Sequence, residues 1–137
     1  MASPTDRSIP AGMGKIVQMP FEKALERTQE ALKKEGFGVL TRIDVKATMK
    51  EKLGVDFSPF VILGACNPPL AHKALTLEPE MGLMLPCNVV VRDLGAGKVR
   101  VEAVNAEAMA SLFPGARKLE GVSREVNERL ARVIESI

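Results

Sequence analysis

Apolar positions along the chain fall into two alternating rhythms. Phe21, Leu25, Thr28 and Leu32 recur at i, i+4, i+7 and i+11, which is one stripe of a helix. That helix opens at Pro20-Phe21 and runs to about Glu35, with Gly36 where a C-terminal cap belongs. The short run Lys15 to Met19 before it predicts a strand. Val39 to Ile43 is β-branched and alternating, a second strand. Asp44 is placed to cap a short helix from Val45 to Leu53, closed by Gly54. Pro59 to Cys66 carries the continuous run Phe60-Val61-Ile62-Leu63, as expected of a strand buried on both faces. Asn67 then stands as an N-cap, with Pro68 in the favoured first helical position, and this helix reaches about Leu77.

Glu78-Pro79 breaks the pattern. Leu83 to Arg92 reads as a fourth strand, with Pro86 marking an edge, a strand beginning or a bulge, because proline donates no ladder hydrogen bond. Asp93 to Gly97 is a hairpin loop. In the fifth strand, Lys98 to Val104, Val99, Val101 and Ala103 face one way and Lys98, Arg100 and Glu102 the other, so the charged side should meet solvent. Asn105 caps a short helix to about Phe113, ended by Pro114-Gly115. A last helix, about Val122 to Ser136, bears the stripe Val122, Val126, Leu130, Val133 and Ile137. The order β-α-β-α-β-α-β-β-α-α predicts one α+β domain over residues 14–137, a mainly antiparallel sheet with helices on one face. Residues 1–13 read as a flexible N-terminal tail, and no repeat of solenoid length is present.

Composition narrows the function. At 137 residues and 46% apolar content the chain can build one ordinary core. Its longest apolar runs fall well short of the ~20 residues that cross a bilayer. No signal-peptide pattern opens the chain, so a reducing cytoplasm is the expected compartment and its two cysteines are expected as thiols. Nineteen basic against 17 acidic residues leave a net charge of +2, too balanced for charge-driven nucleic-acid binding. With five Phe and neither Trp nor Tyr, a base-stacking surface is not expected either. Gly36-Phe37-Gly38 lacks the second aromatic of an RNA-recognition strand and reads as a helix cap followed by a packed phenylalanine.

The chemistry concentrates around the two cysteines, each followed by asparagine: "GACNPPL" and "LPCNVVV". Cys66, His72 and Cys87 offer two sulfurs and an imidazole, enough for a three-ligand soft-metal site with one open position, although the close C-x2-C pairs of strong zinc motifs are absent. The competing reading makes both cysteines buried small hydrophobes and His72 an exposed helix residue. Cys66 precedes a predicted helix N-terminus, where the dipole can lower a thiol pKa, but Pro68 and Pro69 remove two of the N–H donors. Asn67 has a structural role as a cap, whereas Asn88 has none in the pattern, which makes it the odd residue and a ligand contact candidate. If the strands carrying Cys66 and Cys87 are antiparallel neighbours, the two thiols share one end of the sheet; if parallel, they lie at opposite ends. No P-loop, dinucleotide fingerprint or serine nucleophile elbow occurs.

The runs "ALKKEGFGVLTRIDVKATMKEKLGVDF", "ILGACNPPLAHKAL" and "GLMLPCNVVV" resemble the bacterial and archaeal family known as domain of unknown function three-hundred-and-two. The resemblance spans about Gly14 to Ile137. It implies a compact α+β domain of TATA-binding-protein-like topology and a homodimer, and it implies no activity. The leading expectation is a homodimeric binding protein for a small molecule or soft metal ion, with a pocket at Cys66, Asn67, Cys87 and Asn88. A thiol-dependent redox or transfer enzyme using Cys66 is the alternative, and a structural protein with packed cysteines the third.

Overall fold

The computed structural model describes residues 4–137. Five antiparallel strands form one sheet in the order β1-β5-β4-β3-β2. These are β1 (Gly12–Gln18), β2 (Gly38–Asp44), β3 (Phe60–Cys66), β4 (Cys87–Gly95) and β5 (Lys98–Val104). The helices are α1 (Phe21–Lys34), α2 (Val45–Leu53), α3 (Pro68–Leu77), α4 (Ala106–Ala110) and α5 (Ala116–Glu135). A 3₁₀ turn, Pro79–Met84, follows α3.

Period-two patterning decides the faces. Leu63, Val89, Val91, Val99 and Val101 point to one side of the sheet, where α1 and α5 cover them with Leu25, Leu32, Leu130 and Ile134. On the other side of β4 and β5, Arg92, Arg100 and Glu102 form a ladder of ion pairs that extends to Asp6. The expected charged face of β5 is therefore present, with Arg100 and Glu102 paired. A two-residue turn, Ala96-Gly97, joins β4 to β5, with φ positive at Gly95, Ala96 and Gly97.

Three boundaries differ from the sequence reading. The first strand begins at Gly12, Met13 is buried, and Asp6 bridges to Gly14, so the expected flexible tail is drawn into the sheet edge from Asp6 onward. Residues 1–3 of that tail lie outside the described residues. The apolar run Leu83-Met84-Leu85 belongs to the 3₁₀ turn and the approach to a cis Leu85–Pro86 peptide, and β4 starts only at Cys87. Periodicity could not separate these, because a short apolar run suits a strand or a buried turn equally. Helix α5 starts six residues before Val122, and its extra first turns bury Leu119.

One core residue contradicts simple patterning. Lys15 sits on the inner face of β1 at 2% exposure. Its ammonium donates to the backbone carbonyl of Glu135 at 3.1 Å, at the negative end of α5. Burial pushes its pKa down, and the nearby Glu135 carboxylate opposes that shift. Replacing a buried charge by an apolar group of similar length removes its desolvation cost, whereas truncation leaves a hole. Lys15→Met is expected to keep or raise stability in urea denaturation, and Lys15→Ala to lose about 2 kcal/mol.

Candidate functional site

Strands β3 and β4 are antiparallel neighbours, with Ala65 opposite Cys87 and Gly64 opposite Asn88. Their connection leaves the sheet through α3 and the 3₁₀ turn and returns to the same end. Cys66, the last residue of β3, and Cys87, the first of β4, therefore sit at one end of the sheet and both border one cavity. Its volume is about 330 Å³.

The cavity is a seam between two packed clusters. The main core, between the sheet and α1 and α5, supplies Phe37, Ala65, Leu70 and Val126. A smaller cluster under α3, the 3₁₀ turn, α4 and α5 supplies Ala74, Met81, Ala110 and Leu119. Where the two fail to interlock, alanines at 71, 74, 106 and 110 leave the space open. Leu40, on edge strand β2, stands at the rim and is 68% exposed. Among the described residues no charged side chain borders the cavity.

The polar groups in its wall are already occupied. Asn67 caps α3 by accepting from the Leu70 N–H at 3.3 Å, and its amide donates to the Glu35 carbonyl at 3.3 Å. The same carbonyl accepts from Arg129 at 3.1 Å, and the Glu35 carboxylate accepts from Arg132 at 3.0 Å. The start of α3, the end of α1 and the side of α5 are thus tied at one point. Gly36, with φ of +84°, makes room for this: a Cβ there would stand 2.9 Å from the Asn67 amide nitrogen. Ser123 donates to Glu120 of its own helix at 3.4 Å.

Both cysteines are free thiols. Burial pushes the Cys87 thiol up to about 11, with the neighbouring Cys66 adding to the shift. Cys87 keeps some accessible surface and borders the apolar cavity. It therefore stays protonated at neutral pH.

The structure divides the expected site residues. Cys66, Asn67 and Cys87 meet at the cavity. Asn88 does not: it lies one residue beyond Cys87, so strand alternation turns it to the opposite face, where it is exposed. His72 is exposed on α3 and absent from the cavity wall. Among the described residues no three His, Cys, Asp or Glu side chains gather to hold a metal ion, so the expected Cys66, His72, Cys87 ligand set is not assembled. The reason is helical phase: Leu70 and Ala74 occupy the buried side of α3, and His72 falls between them on the outer side. Conversely, patterning did not reveal that Leu70, Ala74, Val122 and Val126 face a cavity. The one sequence trace is alanine where a larger apolar residue would fill the seam.

The arrangement defines a class: a one-domain α+β protein with an apolar cavity at the open end of its sheet. The chain belongs to the family "Domain of unknown function DUF302", whose model matches residues 13–137. It is similar over its whole fold to the crystal structure of an uncharacterised conserved DUF302 protein from Bacillus stearothermophilus. The two share 29% identity and a TM-score of 0.82, over 93% of this chain and 98% of that one. No curated protein matches. Among the described residues no helix is long and apolar enough to cross a membrane.

Two outcomes follow from this geometry. Asn67→Ala removes the α3 cap and the tie to Glu35 and is expected to cost about 1–2 kcal/mol in urea denaturation. Alkylation of Cys87 by iodoacetamide, followed by peptide mass spectrometry, is expected to stay slow at pH 8 and to accelerate only toward pH 11. The native state holds this proton more tightly than the unfolded chain, whose thiol titrates near the ordinary value of 9.0. The Cys87 contribution to stability is accordingly complete below pH 9 and is lost as pH rises from there through 11.

Proposed function

We propose that the protein is a small-ligand-binding protein, working as a homodimer, whose cavity at Cys66, Asn67 and Cys87 takes a neutral, apolar molecule. The observation that carries this reading is a cavity of about 330 Å³ bordered by apolar side chains and two thiols, with no charged side chain among the described residues. Small-molecule sites typically span ~300–1,000 Å³ and fix orientation with a few polar groups. Here Asn67 and Ser123 are spent on the backbone, so little is left to hold a charged or multiply hydrogen-bonding ligand. An ionised group moved into such walls would lose its hydration without gaining a partner. The two sulfur atoms act as polarizable contacts.

The test uses Nile red, a neutral apolar dye. Fluorescence titration is expected to show saturable binding to the native chain. Ala74→Phe fills the seam and is expected to weaken binding at least tenfold while the melting temperature holds or rises. His72→Ala, outside the cavity wall, is expected to bind as the parent does. Absence of saturable binding, or equal affinity in Ala74→Phe, would contradict the reading.

A further inference from the structure

Residues 38–58 form an arm in which no residue is buried; only Val45 and Met49 are even half-covered. It comprises the edge strand β2, the helix α2 and the segment leading to β3. Yet it carries Ile43, Leu53 and Phe57 at 48%, 68% and 40% exposure. A nine-residue helix with no buried side chain is marginal in water by itself, and an exposed edge strand offers a row of unpaired backbone groups. We infer that this arm is the interface with a second copy of the chain, β2 pairing antiparallel with β2 about a twofold axis at Ile43. This deepens the homodimer of the proposed function by naming its surface.

Register and charge select that axis. Ile43 pairs with Ile62, on the face of the sheet away from α1 and α5. Arg42 and Asp44 pair with the buried residues Leu63 and Val61, so they share the helix-covered face. With the twofold at Ile43, each isoleucine meets its own copy, and Arg42 of each chain stands opposite Asp44 of the other, twice. Arg42 makes no ion pair among the described residues. An axis at Arg42 would set arginine against arginine. An axis at Thr41 would set Ile43 against Val39, which the irregularity between Val39 and Thr41 has turned to the other face. Of these three registers, the one at Ile43 satisfies apolar contact, charge and facing together, and an isologous contact requires such self-complementarity.

The same pairing reaches the cavity. In an antiparallel pair, the chain after Asp44 of the second copy runs past Thr41 and Leu40 of the first. That chain is its α2, and Leu40 is the rim of the cavity. The mouth is therefore covered by the second copy.

The experiment measures mass by sedimentation equilibrium at micromolar concentration. The native chain is expected at twice its 14.8 kDa. Ile43→Lys and, independently, Arg42→Asp are expected to weaken association at least a hundredfold, with circular dichroism unchanged. In a Cys66→Ala/Cys87→Ala background, Ile43→Cys is expected to form a covalent dimer under diamide, because directly opposed residues in an antiparallel pair lie within disulfide reach. Leu94→Cys, on the hairpin, is expected to remain uncrosslinked. A monomeric native chain overturns the inference, as does a dimer that survives both charge variants and does not crosslink at position 43. Nile red titration runs in parallel. Crosslinking at position 43 together with no dye uptake by the native chain upholds the interface and removes the ligand reading. A monomer that binds dye does the reverse.

Discussion

The antiparallel pairing of β3 with β4 is the constraint on which the site depends. Because Ala65 lies opposite Cys87, the chain leaves and re-enters the sheet at the same end. A tight hairpin there would have closed that end. Instead, twenty residues of helix and 3₁₀ turn intervene between Cys66 and Cys87. They bury Leu70 in the main core and Ala74 and Met81 in the smaller cluster with α4 and α5, and the two clusters meet imperfectly. The cavity is the remainder of that meeting.

One carbonyl ties the cavity wall to its neighbours. The Glu35 backbone oxygen gathers Asn67 from α3 and Arg129 from α5, at the point where α1 ends and would otherwise leave its carbonyls unpaired. Charge-assisted and amide hydrogen bonds at a helix C-terminus gain from the negative end of the helix dipole. The polar groups nearest the cavity are therefore consumed in holding it open. What remains accessible is hydrocarbon and sulfur, and the high Cys87 pKa is a consequence of that same dryness.

Much of this was legible in the sequence, and particular residues show why. Helices α2 and α3 carry both a capping side chain and an unambiguous stop, Asp44 with Gly54 and Asn67 with Glu78-Pro79, and their observed limits match those signals. The β5 alternation and the α5 stripe fixed which side of each element is buried. The run before Cys87 was ambiguous, since three apolar residues satisfy a strand and a 3₁₀ turn alike. Lys15 was invisible as a core residue, because its burial rests on a carbonyl 120 positions away.

By itself the chain determined its elements, their inner faces and the structural role of Asn67, all of which arise from interactions within a few residues. Tertiary structure alone decided three things: that Cys66 and Cys87 share a cavity, that Asn88 and His72 do not join them, and that the arm of β2 and α2 buries nothing of its own. Each of these depends on which strand lies beside which and on how well two clusters interlock. Strand order and packing volume are sums over distant residues, and local periodicity carries no record of them.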